Sequence, residues 1–295
     1  MPRVAVVQEN VVFAAPQENA SVAVRHLREL AERGVQIAVF PECFLTGYAV
    51  RTREDAERIA ITAPEPQDRY EDEADGAWFL DEALVRVMEA VDETGVTTVI
   101  GYAAEDALGT LHNEAALLVP GHAPEVYRKT HLPELGFDKF VQPGDAMRVF
   151  DTPHGRVGIG ICFDLRHPEL CRLLALDGAD LIALPTNWPE GAEISANVIA
   201  PARAAENKVF LATANRVGEE NGFRFIGRSG IFGVGGEVLA QADADATVLV
   251  ADLDFALARN KRNVGIPGEY ETTVFESRRP ELYEGLVEPA LPPDA

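Results

Sequence analysis

The chain has 295 residues, 47% hydrophobic and 25% charged, so it can bury a large core as one big domain or two smaller ones. Lys and Arg number 26 against 48 Asp and Glu, which gives a formal net charge of −22 at pH 7. A charge this negative argues against nucleic acid or an anionic membrane as the partner.

The cysteine content and the N-terminal sequence both bear on the cellular compartment. The three cysteines, Cys43, Cys162 and Cys171, are an odd and sparse set, which indicates a reduced protein without a disulfide framework. The N-terminus lacks a charged-then-apolar leader and runs directly into a strand pattern. No apolar run approaches membrane-spanning length. We therefore expect a cytoplasmic protein.

The first elements predict a β-α-β unit. Residues 3–8 are β-rich, and residues 35–40 form a continuous apolar run typical of a covered sheet. Between them a helical pattern that stops at Gly34 has apolar residues at Ala20, Ala23, Val24, Leu27, Leu30 and Ala31. The second strand ends at Pro41 and Glu42, which places an acid at its carboxyl end. Taken alone, such an acid is more often a solvated loop residue.

Residues 51–77 are polar and acidic, and they predict an exposed loop or short exposed helix. The next helical pattern ends at Gly95 and has apolar residues at Leu80, Leu84, Val87, Met88 and Val91. Strands are then predicted at 96–102 and 114–119.

The segment 125–133 alternates in the manner of a strand and carries a lysine at its end. Its alternation points Lys129 to the same side as Tyr127 and His131. An edge-strand lysine in water is the usual alternative. The loop that follows contains two further acids, Glu134 and Asp138.

A strand at 157–161 and a helix from Pro168 to Asp177 flank Cys162. In α/β sheets, ligands bind at this carboxyl edge of the strands. Backbone N–H groups and the helix dipole there are expected to favour a thiolate over a thiol. The alternative is that Cys162 is a small buried core residue.

The strand predicted at 180–185 ends in Thr-Asn-Trp-Pro, where Asn187 and Trp188 suit a pocket wall, although Trp188 could equally be core. A helix is then predicted with its apolar face at Ile194, Val198, Ala202 and Ala205. Further strands are predicted at 209–214, 229–234 and 247–253, with a hairpin turn at Gly235 and Gly236. Residues from about 256 to 295 are irregular and Pro-rich at the end, and they predict an arm that packs on the body or on a second subunit.

Three strand ends thus supply Glu42, Lys129 and Cys162. A cysteine hydrolase needs a sulfur nucleophile, a proton acceptor and a group that stabilises the tetrahedral oxyanion. A glutamate whose pKa is raised by burial can carry the proton, and a lysine paired with it can stay charged.

The motifs around these residues resemble the nitrilase, or carbon–nitrogen hydrolase, superfamily over nearly the whole chain. They are Phe-Pro-Glu at Glu42, Tyr-Arg-Lys-Thr-His-Leu at Lys129 and Gly-Ile-Cys-Phe-Asp-Leu-Arg-His-Pro-Glu-Leu at Cys162. Pro-Gly-Asp at 143–145, Leu-Pro-Thr-Asn-Trp-Pro and Arg-Ala-Ala-Glu-Asn at 203–207 add to the likeness.

The resemblance implies an α/β fold, a four-layer α-β-β-α sandwich in which 1–295 is a single carbon–nitrogen hydrolase domain. It also implies a homodimer or higher homo-oligomer that hydrolyses nonpeptide C–N bonds of small molecules without a metal or organic cofactor. By that likeness Cys162 is the nucleophile, Glu42 the general base, and Lys129 with the backbone N–H of Phe163 the oxyanion site. Many members carry a further acid between the lysine and cysteine motifs, which here is Asp138 or, second, Glu134. Tyr48, Asn187 and Trp188 are expected to line the pocket.

The residues after the cysteine bear on the substrate. Nitrile-cleaving members usually have Trp-Glu there, whereas this chain has Phe163 and Asp164, closer to amidases and carbamoyl hydrolases. Carbamoyl amino-acid hydrolases often place two arginines shortly after the cysteine, and here only Arg166 follows. We therefore expect an amidase. The alternatives are an N-carbamoyl amino acid or amine hydrolase, a nitrilase, and a non-enzymatic interaction protein that has kept the fold.

Overall fold

The computed structural model describes residues 1–63 and 80–288. The chain divides into two compact units, 1–259 and 260–295. Of the segment predicted as a loop or short helix, Arg53–Ile59 is a short and largely exposed helix, and residues 64–77 lie outside the described residues.

The first unit contains helices on both sides of two sheets. Its α-helices are α1 (Pro16–Glu32), α2 (Arg53–Ile59), α3 (Glu82–Thr94), α4 (Pro168–Leu176), α5 (Ala200–Asn207) and α6 (Phe255–Arg259). Its strands are β1 (Arg3–Gln8), β2 (Ile37–Val39), β3 (Ile61–Thr62), β4 (Thr97–Glu105), β5 (Leu111–Leu118), β6 (Glu125–Arg128), β7 (Val149–Thr152), β8 (Gly155–Ile159), β9 (Leu181–Thr186), β10 (Phe210–Asn215), β11 (Glu219–Glu220), β12 (Phe223–Arg224), β13 (Gly230–Phe232), β14 (Val238–Gln241) and β15 (Thr247–Asp252). The described residues of this unit also include two 3-10 turns, Gly136–Phe140 and Cys162–Arg166, and a π-turn, Ser195–Ile199.

The main strands form two sheets. The first has the order β15-β1-β2-β4-β5-β6, with β3 paired to β4, and the second has the order β14-β13-β10-β9-β8-β7. In the first sheet β1, β2 and β4 run parallel, as do β8, β9 and β10 in the second. Parallel neighbours need a crossover connection, which helices supply in both halves of the unit.

Strand β1 shows how the layers stack, because its side chains alternate between two cores. Val4 and Val6 belong to the core that joins the two sheets and extends to α4 and α5. Ala5 and Val7 belong to the core that joins the first sheet to α1 and α3. Since a strand buries both faces only when both are covered, the order of layers is helices, sheet, sheet, helices. The predicted four-layer α-β-β-α sandwich is confirmed.

The predicted buried face of the helix after Trp188 was wrong. Ile194 and Val198 are 51% and 57% exposed. The buried residues instead are the small ones, Ala196, Ala200 and Ala204. Both sets repeat at four-residue spacing, so the apolar pattern alone could not choose between them. The alanine face allows α5 to pack closely on the second sheet, and that close packing decides the orientation.

The second unit, described as far as residue 288, begins with a β-hairpin. Its strands are β16 (Arg262–Ile266) and β17 (Tyr270–Thr273), and 3-10 turns follow at Pro280–Leu282 and Glu284–Leu286. The predicted start of the arm, at about 256, falls inside α6, where Phe255 and Ala258 are buried in the core of the first unit. The packing of the arm stays a prediction.

Candidate active site

Glu42 lies in the turn that follows β2, and its side chain is fully buried. Pairing with β4 continues one residue past the end of β2, because the Phe40 N–H donates to the carbonyl of Val99 at 2.8 Å. The chain turns after Phe40. Gly101 of β4 packs directly against this turn. A Cβ at Gly101 would lie 2.7 Å from the backbone N of Cys43 and 2.8 Å from the Cα of Glu42. Only glycine permits this approach, and it fixes the position of the Glu42 backbone.

Lys129 follows β6, and backbone pairing continues past the end of that strand. Its N–H donates to the carbonyl of Asn113 at 2.8 Å, and its own carbonyl accepts from Gly144 at 2.9 Å. This pairing directs the side chain inward, where it is inaccessible to solvent. The Nζ atom lies 2.7 Å from Glu42 Oε1 and 2.6 Å from Asp138 Oδ2. One ammonium group therefore lies between two buried carboxyl groups.

Asn113 and Tyr48 complete this cluster. The Nδ2 of Asn113 donates to Glu42 Oε1 and to Asp138 Oδ1, each at 2.8 Å. The Tyr48 hydroxyl donates towards Asp138 Oδ2 at 2.8 Å and also lies 2.9 Å from the carbonyl of Leu135. The structure thus places Asp138 against Lys129. Glu134, the other acid considered for this position, is exposed.

Opposing effects act on the charges of the buried pair. Burial raises the pKa of Glu42, and the Asp138 carboxylate raises it further, although Lys129 and Asn113 lower it. Burial alone lowers the pKa of Lys129, but the charges of Asp138 and Glu42 raise it well above its ordinary value of 10.5. Lys129 therefore stays protonated, and Glu42 holds a proton more readily than an exposed glutamate does.

Cys162 opens the 3-10 turn after β8, with a positive φ of 47°, and it is partly exposed. Burial raises the pKa of its thiol, and the Glu42 charge raises it further. Lys129, the Thr186 side chain and the Asn187 backbone lower the pKa, but by less. The prediction that this junction favours a thiolate was wrong, because burial and a nearby carboxylate outweigh the dipoles at a single short turn. The resting thiol is neutral.

Asp164 joins the Cys162 turn to the segment that follows Lys129. One carboxylate oxygen accepts from the Tyr127 hydroxyl at 2.7 Å and from the Ile161 N–H at 2.9 Å. The other accepts from the backbone N–H of His131 at 2.9 Å and from its ring at 2.7 Å. This buried acid, two residues after Cys162, therefore fixes the Cys162 turn relative to the segment that follows Lys129.

Two histidine rings and a phenylalanine ring lie at the end of this turn. The His131 and His167 rings stack with centroids 3.8 Å apart and an interplanar angle of 11°. The Phe163 and His167 rings form a T-shaped pair with centroids 5.3 Å apart. The backbone N–H of Phe163 lies in the first turn of the 3-10 segment, where N–H groups lack an intrahelical acceptor.

The predicted pocket residues occupy different environments. Tyr48 is buried against the Lys129–Asp138 pair, with its ring centroid 5.9 Å from the ammonium. Trp188 is 3% exposed and belongs to the core against which Cys162 packs. Asn187 is 1% exposed, and neither polar atom of its side chain has a hydrogen-bond partner among residues 1–63 and 80–288. Within the same residues, Glu42 Oε2 also lacks a partner.

The sequence did not assign Asn113, Gly101 or Asp164 to the site. Asn113 forms hydrogen bonds with Glu42, 71 positions away in the sequence, and with Asp138, 25 positions away. No local sequence pattern therefore indicates its place in the site. Gly101 had only the weak signal of a glycine inside a strand pattern.

In the described part of the chain, no group of three or more His, Cys, Asp or Glu residues is placed to hold a metal ion. No helix there has both the length and the apolar character needed to cross a membrane.

The carbon–nitrogen hydrolase family model matches residues 3–263. The chain belongs to this family. As a member of the nitrilase superfamily, this carbon–nitrogen hydrolase has relatives of more than one described activity. It is 39% identical over 286 residues to a protein of Pyrococcus abyssi described as a nitrilase, covering 96% of this chain and 99% of that one. It is 30% identical over 289 residues to an omega-amidase of Xenopus tropicalis, covering 92% and 94% respectively.

Solved structures agree with the architecture of this hydrolase. An amidase of Nesterenkonia AN1 from the nitrilase superfamily aligns over 97% of both chains, with a TM-score of 0.77 and 24% identity. The Nit3 protein of Saccharomyces cerevisiae aligns over 88% of this chain and 92% of its own, with a TM-score of 0.75 and 21% identity. At these identities the likeness establishes the fold.

Proposed function

We propose that the protein is a cysteine-dependent amidase that releases ammonia from a small amide through a thioester on Cys162. The observation that carries this proposal is the position of the Lys129 ammonium, 2.7 Å from Glu42 and 2.6 Å from Asp138. Both Glu42 and Lys129 act electrostatically on the Cys162 thiol. A proton acceptor, a fixed cation and a nucleophile are the three parts that acyl transfer needs.

In the acylation step, the neutral Cys162 thiol gives its proton to Glu42 as the sulfur attacks the amide carbonyl. Glu42 Oε2, which has no partner within the described ranges, is the acceptor. The oxyanion lies against Lys129 Nζ and the backbone N–H of Phe163. When the tetrahedral intermediate collapses, the C–N bond breaks, the leaving nitrogen takes the proton from Glu42, and ammonia departs. The acyl group remains on sulfur as a thioester.

In the deacylation step, Glu42 takes a proton from water as the water oxygen attacks the thioester carbonyl. The same cation and N–H group stabilise the second oxyanion. Collapse breaks the C–S bond, and the proton on Glu42 returns to the sulfur. The products are a carboxylic acid and the resting thiol. The raised pKa of Glu42 suits this work, because one group must accept and donate a proton at similar pH.

The relatives support the amide chemistry. Omega-amidases of several vertebrates are among them. A solved structure of a mutant of the Nesterenkonia amidase shows the result of Michael addition of acrylamide at its active site cysteine.

Nitrile hydrolysis is a second candidate, because the Pyrococcus abyssi relative is described as a nitrilase. The carbamoyl amino-acid alternative has less support, because Arg166, the one arginine shortly after the cysteine, is exposed.

A panel of short amides, ω-amides, carbamoyl compounds and nitriles, assayed for ammonia release, tests the proposal. Cys162→Ala should abolish turnover, and intact-mass spectra of the quenched native protein should show an acyl adduct that this variant lacks. Cys171→Ala is a matched control, because Cys171 is buried in α4 and packs in the core. Full activity in Cys162→Ala would refute the mechanism.

We also propose that the protein assembles as a homodimer or higher oligomer through α4 and the neighbouring helical segment 193–207. Four apolar side chains there are exposed by 39–57%, namely Leu173, Leu176, Ile194 and Val198. Exposed apolar side chains on neighbouring elements are typical of interaction surfaces. Light scattering should report a dimer or larger species, and Val198→Lys should shift it towards monomer.

A cytoplasmic location stays a prediction.

A further inference from the structure

Glu220, in the short strand β11, is a buried acid outside the cluster around Lys129, and it holds the loop that carries Tyr48. Its Oε1 accepts from the backbone N–H groups of Tyr48 at 2.8 Å and Ala49 at 2.6 Å. Its Oε2 accepts from Arg216 at 2.7 Å. The Glu220 carboxylate therefore links strand β11 to Tyr48 and Ala49, which lie more than 170 positions earlier in the sequence. Such charge-assisted bonds to backbone groups fix position strongly.

Arg216 holds Glu220 in place. Its side chain is fully buried, and its second terminal nitrogen donates to the carbonyl of Val11 at 2.9 Å. The guanidinium also lies 4.4 Å from the ring centroid of Phe225. A buried ion pair is weak evidence for stability, because the cost of removing both charges from water offsets much of their attraction. The Arg216–Glu220 pair is therefore better understood by how it positions the loop than by how much it stabilises the fold.

The loop that Glu220 holds leads directly to the catalytic cluster. The carbonyl of Tyr48 accepts from the Phe137 N–H at 2.9 Å, and the Tyr48 hydroxyl contacts Asp138 at 2.8 Å. Gly47, with φ of 87°, brings the loop against Glu220, where a Cβ would lie 3.1 Å from Oε2. Glu220 thus determines where the phenol stands, and the phenol contacts the carboxyl group that binds Lys129.

We propose that Glu220, anchored by Arg216, is a positioning residue for hydrolysis: it sets the Tyr48 phenol, and through it the place of Asp138 and the Lys129 ammonium. This inference rests on the proposed function. Displacement of a catalytic group by about 1 Å can cost about 10²-fold in rate. Because Lys129 acts on an oxyanion that forms only in the transition state, the loss should fall on kcat and leave KM nearly unchanged.

Glu220→Asp is the decisive variant, because it keeps the charge that Arg216 needs but is too short to hold both N–H groups without moving the loop. We expect kcat to fall about 10²-fold while KM changes little. Glu220→Gln should act in the same direction, although it leaves Arg216 without a charged partner and is more prone to misfold. Tyr48→Phe should lower kcat too. The Tyr48→Phe/Glu220→Asp double variant should be no slower than the slower single variant, because both act through one contact.

Asp180→Asn is the matched control. Asp180 is also a buried carboxylate that binds an arginine, Arg259 at 2.7 Å, and a backbone N–H, that of Arg156 at 3.0 Å. Its replacement should lower the melting temperature and leave kcat unchanged. The inference is overturned if Glu220→Asp keeps its kcat, or if the losses of the two single variants multiply. Cys162→Ala, assayed alongside, separates the two proposals: activity in that variant refutes the proposed function, whereas full activity in Glu220→Asp alone refutes only the positioning role.

Discussion

Lys129 Nζ lies 2.6 Å from Asp138 Oδ2, and both side chains are inaccessible to solvent. The two residues are only nine positions apart in the sequence. The short 3-10 turn Gly136–Phe140 brings the acid back to the lysine. With Glu42 on its other side, the ammonium has two carboxyl partners. It can therefore remain charged while one of them takes up and releases a proton.

Lys129→Met should lower kcat by about 10²–10³-fold, the usual effect of removing one group that stabilises an oxyanion. Lys129→Arg should not restore activity, because a planar guanidinium cannot replace a compact ammonium in a packed site. Steady-state kinetics on both variants would check this, with Lys139→Met as control, since Lys139 is exposed in the same 3-10 turn. Near-native kcat in Lys129→Met would contradict the assigned role.

The pH dependence of kcat/KM should follow Glu42. Glu42 must be ionised to accept the thiol proton, and its pKa is raised from the ordinary 4.5, so activity should be lost as pH falls through a value above 4.5. The Asp138 charge raises the pKa of Glu42. Asp138→Asn should therefore move the acid limb to lower pH and reduce the maximum rate.

The control for this experiment is Glu134→Gln, because Glu134 is exposed and should leave the profile unchanged. An acid limb that stayed in place in Asp138→Asn would show that the limb belongs to another group.

Gly101→Ala should damage activity without touching any catalytic side chain. The three atoms nearest to the new methyl group would all be backbone, including the Cα of Glu42 at 2.8 Å, so the turn that carries Glu42 must move. Overpacking of this kind costs about 1–3 kcal/mol of stability. We expect a lower melting temperature together with a lower kcat.

Gly158→Ala in β8 is the comparison for Gly101→Ala. Its nearest contact would be the Leu174 side chain at 3.1 Å, and a side chain can adjust more readily than backbone. Equal losses of activity in the two variants would count against a specific effect on Glu42.

Matched amide and nitrile substrates should separate the two candidate activities. We expect kcat/KM for short aliphatic or ω-amides to exceed that for the corresponding nitriles, because Phe163 and Asp164 follow the cysteine where nitrile-cleaving members usually have Trp-Glu. Each pair should be measured on one preparation. A consistent preference for the nitrile would assign the protein to the second candidate while leaving Glu42, Lys129 and Cys162 in the same roles.

The sequence predicted the sheets and most helices because their signals are local. The alternating β1 and the helix that ends at Gly95 both have the expected bounds within a few residues. The buried face of α5 was not predictable, because two sets of apolar residues repeat at the same spacing. Only close packing on the second sheet, which the sequence does not show, favours burial of the alanines.

The candidate site was predictable only where a motif marks it. Glu42, Lys129 and Cys162 stand in recognisable motifs at strand ends. Asn113 and Glu220 have no such signal, since their partners are 71 and 172 residues away. The state of the Cys162 thiol was also mispredicted, because burial and the charge of Glu42 depend on distant parts of the chain.

The neutral resting thiol of Cys162 has a consequence for chemical reactivity. Peroxides and alkylating agents react with thiolates, so a cysteine whose pKa is raised resists oxidation and indiscriminate modification. In the proposed mechanism, the sulfur becomes a strong nucleophile only while Glu42 removes its proton. A carbonyl compound that fits against Lys129 favours that transfer, because the developing oxyanion is then stabilised. Reagents shaped like an amide should therefore label Cys162 much faster than small alkylating agents of equal intrinsic reactivity.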